Sequence, residues 1–448
     1  MSNVQPLFAQ IDPVTELQKE FCIFGFNNQI RIGLMSEIQS IKGGTREADI
    51  NMFALPDGKL WMRRHLETLP VPSKPSQVIE AFLVDPSTQI YREIAFTPAS
   101  TAADVLNYWV PPVVKPKVGS WTPIAAFLRE NICADNSELY EYLLNFIAHM
   151  LQKPQEKPGV MLVMLGGQGT GKGTFFKLLR KIWERTTLDV SRVDYIVGGF
   201  NGSVERNFLV CMDEALFSQD RKSMDQLKSI ITEDTITIEQ KHQPRRTVRS
   251  IHRFFAASNH EHFGNIEKDD RRFVFLRVSD RHKGKLDYFK MLHDAIDDPA
   301  QLSAMVFDLC NRNISQFNVR SKPKTPELME QKLQSLVDFE RYWFEVLSKG
   351  CFSQLGLASG EAAWTSERFV SSSEVENGFK NHQAELRRYQ TIQGRKIHAA
   401  LKRLCPSATK KRGSSGSIQQ RGYQLPPLDE ARQAFETILG GKIEWDDW

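Results

Sequence analysis

The 448-residue chain is predicted to fold as an α/β protein with a mainly parallel central sheet, and three observations carry that prediction. Between residue 158 and about residue 280, short apolar runs alternate with helical patterns. "GVMLVML", "YIVGGF", "NFLVCMDEA", "HRFFAASN" and "RRFVFLRVS" have strand length and are apolar throughout, as strands covered on both faces should be. The first of them leads through a glycine-crowded loop into the helical run "FFKLLRKIW". Upstream, "WTPIAAFLRENI" and "SELYEYLLNFIAHMLQKP" repeat apolar residues at i, i+3 and i+4, with Ser137 as the expected helix cap.

A chain of this length implies two or three domains. Residues 1–118 alternate strand-like runs ("FCIFGF", "QIRIGLM", "KLWMRR", "EAFLV") with turn signals, which predicts a small β-rich module ending at the proline-interrupted "WVPPVVKPKVGSW". Residues 119–157 form a helical collar, residues 158–320 the α/β core, and residues 321–448 a helical region. In that last region, two helical runs precede the turn "KKRGSSGS" and the strand-like "QQRGYQL", the outline of a winged helix. Basic residues crowd that outline, from Arg387 and Arg388 to Lys410, Lys411 and Arg412, a composition suited to duplex DNA.

The bulk numbers exclude several classes. Apolar residues make up 41% and charged residues 25%, ordinary for a folded soluble chain, and the formal charge of +4 is too small to assign a partner. The six cysteines are scattered singly with no C-x-x-C pair, which argues against zinc ribbons and a disulfide framework and for a reducing, cytoplasmic setting. The start lacks the pattern of a signal peptide, and no apolar run approaches the roughly 20 residues that span a bilayer.

The loop after the first core strand, Gly166 to Lys172, fits G-x-x-x-x-G-K between a strand and a helix. Glycines let backbone N–H groups turn onto phosphate oxygens, the helix N-terminus adds partial positive charge, and Lys172 adds a full one. Gly166, Gly167, Gln168, Gly169, Thr170, Gly171, Lys172, Gly173 and Thr174 are therefore the expected ATP contacts. Gly173 stands where this motif usually has a Ser or Thr for Mg²⁺, and Thr174 follows one place later.

Downstream, Asp213 and Glu214 end an apolar strand, where one carboxylate suits the Mg²⁺ shell and the other the activation of water. Asn259 ends another strand and is a candidate to sense the γ-phosphate. Arg271 and Arg272 precede a further strand and suit a charge-stabilising role across a subunit boundary. Between them, "TITIEQ" and "RTVRSI" flank "KHQPR", a predicted hairpin with Lys241, His242, Arg245 and Arg246 at its tip, suited to a phosphate backbone.

The order of glycine-rich loop, Asp-Glu, basic hairpin, strand ending in Asn and Arg-Arg resembles the superfamily 3 helicases, AAA+-type hexameric motors of viruses, phages and mobile elements. The hairpin segment "LKSIITEDTITIEQKHQPRRTVRSIHRFFAASN" is especially similar, and residues 80–280 share the arrangement seen in phage primase–helicases. The resemblance implies an ATP- and Mg²⁺-dependent replicative helicase on single-stranded and forked DNA, working with a separate primase or origin-binding protein. It gives Asp213, with Thr174, the Mg²⁺ role and Glu214 that of the base. Asn259 becomes the sensor, Arg271 or Arg272 the finger, and Lys228, Lys241 and His242 DNA contacts. No primase segment is recognisable, which implies a stand-alone helicase. Two further readings stay open: a nucleotide-switched origin-binding assembly factor, and a nucleotide kinase, favoured by "GKGT" alone.

Overall fold

The computed structural model describes residues 12–26, 29–43, 50–70, 74–191, 194–198, 201–213, 221–239, 245–352, 364–386, 394–415 and 418–445. The chain divides into two compact units. The first comprises Met1–Ala215, Asp225–Asn259 and Arg277–Ser321, and the second Leu216–Met224, His260–Leu276 and Lys322–Trp448.

The first unit begins with a four-stranded sheet of order β3-β2-β1-β4, made by β1 (Phe21–Phe26), β2 (Gln29–Leu34), β3 (Phe53–Ala54) and β4 (Ile90–Tyr91). Its apolar face, with Leu17, Phe21, Ile32, Met62 and Phe82 at the centre, is covered by helices that the strand-like reading of this region did not anticipate. "KLWMRR" lies in the helix Leu55–Glu67 and "EAFLV" in the helix Pro75–Val84. Each helix has a proline in its first turn, where the missing N–H costs nothing and φ is already set. Short apolar runs do not by themselves distinguish strand from helix. A two-stranded parallel pair follows, β5 (Glu93–Ala95) with β6 (Val105–Asn107).

The core of the first unit holds β7 (Met161–Leu165), β8 (Thr187–Val190), β9 (Leu209–Met212) and β12 (Arg253–Ser258), all mutually parallel in the order β7-β12-β9-β8. β7, β9 and β12 are buried along their whole length, which explains their continuous apolar sequences. The expected α/β fold with a parallel sheet is thus present. One expected strand is not: the described part of "YIVGGF" enters the short helix Asp194–Val197, and the unforeseen β8 forms the sheet edge. The hairpin strands β10 (Thr235–Ile238) and β11 (Arg246–Arg249) pair antiparallel.

The helix Ser137–Gln152 starts at Ser137, but the cap is Asn136, whose side chain accepts from Leu139 N–H. Phe146 of this helix and Phe175 of the helix Lys172–Ile182 both set rings against Phe255 of β12, with centroids 5.7 and 5.9 Å away. That aromatic packing fixes the loop helix to the sheet.

In the second unit, β13 (Phe273–Arg277) begins at Phe273, where Asp270 accepts from the backbone N–H groups of Arg272 and Phe273. Further on come the helix Asp338–Lys349, β14 (Arg368–Ser371), the helices Ser372–Glu385 and Gly394–Leu404, then β15 (Thr409–Ser415) and β16 (Ile418–Leu425). β14, β16 and β15 form an antiparallel sheet in that order. Ile397, Leu401, Leu404, Val370 and Tyr423 join one core with Trp343.

Candidate nucleotide-phosphate site

Parallel strands send every following loop to one edge of the sheet, so the residues after β7, β12 and β9 emerge on the same side. Leu165 pairs with Ser258 and Ala256 with Met212. Gly166, Asn259 and Asp213 therefore leave neighbouring strands at one edge, with β12 in the middle. Gly166 N–H donates to the Ser258 carbonyl at 3.3 Å, and Asp213 N–H to the Val190 carbonyl at 3.2 Å. Both Asp213 and Asn259 are exposed there.

The loop itself is built on two left-handed glycines, Gly169 at φ +77° and Gly171 at φ +104°. Gly171 is confined as well as strained: a Cβ there would lie 3.1 to 3.2 Å from Phe127, Asn131 and Phe289. Lys172 is almost wholly buried and folds back over the loop, donating to the carbonyls of Gly166 and Gly167, each at 2.7 Å. Thr170 Oγ1 donates to the Gly167 carbonyl at 2.9 Å. The loop is a preformed ring of backbone closed by an ammonium group.

Three supports come from residues that sequence reading did not single out. Asn131, fully buried in the π-helical turn Phe127–Ile132, donates its amide to the Thr170 carbonyl. The "collar" therefore holds the loop directly. Lys283 brings a second ammonium group: its Nζ lies 2.9 Å from where a Gly167 Cβ would be. His293 Nε2 sits 3.2 Å from Thr174 Oγ1, so the hydroxyl expected to meet Mg²⁺ already has a neighbour. Gly173 opens onto free space, with nothing within 4 Å of an added Cβ. The only sequence signal for any of these was the polar Asn131 on an otherwise apolar helical face.

The remaining expected residues fall in several places. Lys228 is buried, with its ammonium 3.4 Å from Asp225, rather than presented to solvent. Arg245 is exposed and bonded to Glu239 at 2.9 Å. Arg246 belongs to β11, and Lys241, His242 and Glu214 lie outside the described residues. In the second unit, Arg272 lies 3.7 Å from Glu267 and 3.9 Å from Asp270, whereas Arg271 is exposed. Among the described residues no group of His, Cys, Asp or Glu forms a ready metal cluster. No described helix is long and apolar enough to cross a membrane.

With the α/β class established, comparison with known proteins narrows the setting. Residues 164–272 match a family model described as a family of unknown function (DUF5906). Over 253 residues, 53% of this chain, the sequence is 25% identical to the DNA Primase-polymerase of Nitratiruptor phage NrS-1, of which the match covers 35%. The chain thus matches about a third of that relative's length. Solved structures of the NrS-1 C-terminal region in apo form are similar over nearly the whole chain. One has a TM-score of 0.63 at 15% identity, covering 93% of this chain and 100% of its own, and another a TM-score of 0.59 at 17% identity.

These findings correct the resemblance drawn from motif order. The relative is a primase-polymerase, so the assignment to the superfamily 3 helicases falls, and with it the AAA+-type, ATP-driven unwinding motor and its initiator and kinase alternatives. The physical reason is that a phosphate loop, an acidic strand end and a polar strand end describe one edge of a parallel sheet. Many activities are grafted on such an edge.

Proposed function

We propose that this chain serves phage-type DNA priming and synthesis by binding a nucleoside triphosphate with Mg²⁺ at the Gly166–Thr174 loop, in a replication protein related to the primase-polymerases. The observation that carries this reading is the ring formed by Gly166–Gly171, with left-handed glycines and the Lys172 ammonium drawn across it. Such a ring fits a polyphosphate, whose oxygens can replace the two carbonyls as acceptors for Lys172. Lys283 supplies a second cation beside Gly167 for the distal phosphates.

In this reading Asp213 holds the Mg²⁺, which neutralises phosphate charge when bound, and Thr174 contributes only after leaving His293. Glu214 and Asn259 are the groups assigned to cleavage of the terminal phosphoanhydride. The hairpin of β10 and β11, with exposed Arg245, Thr247 and Arg249, is assigned to single-stranded DNA. Self-association on DNA belongs to the same proposal, as does work in the host cytoplasm.

The test is calorimetric titration of the purified chain with ATP, dATP and inorganic triphosphate, each with Mg²⁺. We expect all three to bind wild type, and Lys172→Ala to weaken each by about 100-fold or more, the loss of a charge-assisted phosphate contact. Equal binding by wild type and Lys172→Ala would overturn the assignment.

A further inference from the structure

We infer that the second unit carries a separate binding surface for double-stranded DNA, formed by one stripe of the helix Gly394–Leu404 and one face of the β15–β16 hairpin. This surface is independent of the phosphate loop, and it rests on the register of the hairpin.

The helix reads GRKIHAALKRL and contains no acidic residue. Ile397, Leu401 and Leu404 are buried, which turns Arg395, Lys396, Ala399 and Lys402 outward. Arg395, Ala399 and Lys402 follow one another at i, i+4 and i+7, a single exposed stripe. Arg403 is exposed too, but it is committed to Glu340 at 2.7 Å.

In the hairpin, Lys410 pairs with Tyr423 and Arg412 with Arg421. Residues directly opposite in an antiparallel pair share a face, and alternate residues of one strand do too. Lys410, Arg412, Arg421 and Tyr423 therefore lie on one face. That face meets the helix, because the Tyr423 ring stacks on His398 with centroids 5.7 Å apart and planes at 19°. The Tyr423–His398 stack places the helix against the hairpin, and burial, with the Lys410 and Lys402 charges adding to it, holds His398 below the ordinary imidazole range.

The cross-strand pair Arg412–Arg421 is the decisive feature. Two like charges directly opposite on an exposed sheet face destabilise the pairing, and neither makes an ion pair with a described acid. An anionic partner removes that cost. A helix stripe flanked by a two-stranded ribbon suits the groove and adjoining phosphates of a duplex. A single strand is the poorer fit, since the aromatic ring of this face, Tyr423, is buried against His398 and offers no stacking platform.

The experiment is fluorescence anisotropy with a short labelled duplex and the matching single strand, over a range of salt concentrations. It uses the full chain and two double variants, Arg412→Ala/Arg421→Ala and Arg395→Ala/Lys402→Ala. Thermal melting reports folding, and Lys172→Ala serves as a control for the phosphate loop. Wild type and Lys172→Ala should bind the duplex more tightly than the single strand. Each double variant should lose about tenfold or more in duplex affinity at low salt, with a log Kd against log salt slope smaller by about two. The hairpin variant should melt no lower than wild type, because a repulsion has been removed. Preference for the single strand, or duplex binding unchanged in both variants, overturns the inference.

Discussion

Two lysines in the first unit, Lys172 buried and Lys157 half-buried, are both bonded to backbone carbonyls and lie at opposite edges of one parallel sheet. At the edge where the strands end, Lys172 spans Gly166 and Gly167 of an open loop. At the edge where they begin, Lys157 donates to the carbonyls of Ile230 and Glu233 and to Ser250 Oγ, clamping the segment before β7 to the hairpin. Beside it Arg253, the first residue of β12, is wholly buried and gives its guanidinium to the carbonyls of Ile251, Lys153 and Glu156, over the Phe208 ring. Burial pushes Arg253 down to about 9 and Lys157 to about 8, so both are held charged at neutral pH by dense acceptors.

The contrast teaches what separates a site from a lock. Lys172 bonds carbonyls of its own loop, so under the proposed function an incoming phosphate would take over those bonds with little else disturbed. Lys157 and Arg253 bond carbonyls of distant segments, and removing either leaves several of these acceptors without their partner at once. The two edges should respond to mutation in opposite ways.

The largest effect is expected at the lock. Arg253→Leu should cost on the order of 3–5 kcal/mol in urea unfolding, as breaking a buried charged network does. A loss below about 1 kcal/mol would break the comparison. Next come the loop glycines. Gly171→Ala, at φ +104° and against Phe127, should cost about 1–3 kcal/mol and weaken triphosphate binding. Gly173→Ala, inside the helix and facing open space, should raise stability by about 0.5–1 kcal/mol. Matching effects at the two glycines in thermal melts would count against the confined loop.

A further effect is in pH dependence. Burial, with the Arg253 charge adding to it at His149, lowers His149 to about 4, and burial lowers His252 to about 3. Both are neutral when folded, while the unfolded chain takes up their protons near pH 6.5, so stability should decline as pH falls from about 6.5 toward 4. A melting temperature flat from pH 6.5 to 5 would show that these histidines do not titrate as the buried edge requires.

The Gly166–Lys172 loop was legible as a strand–loop–helix unit because its pattern is local: strand, glycines, lysine and helix are contiguous from Met161 to Phe175. Asp213 and Asn259 were legible as strand ends, which a parallel sheet must gather at one edge. Lys283 and Phe289 were not, since they reach the loop from far along the chain and nothing at their own positions marks them; Asn131 was marked only as a polar residue on an otherwise apolar helical face. Arg253 went unremarked inside the strand run "HRFFAASN", although it anchors the sheet's other edge. The early helices were misread because strand-length apolar runs precede or follow prolines that start helices. Motif order named the wrong family for a related reason: it encodes sheet topology more strongly than activity.

The most direct test sets Lys172→Ala against Lys157→Met in parallel, measuring Mg²⁺–triphosphate affinity and unfolding free energy for each. Lys172→Ala should lose binding and keep its stability, while Lys157→Met should lose stability and, where folded, keep binding. Loss of binding in both, or in neither, would contradict a nucleotide-phosphate site confined to the Gly166–Thr174 edge.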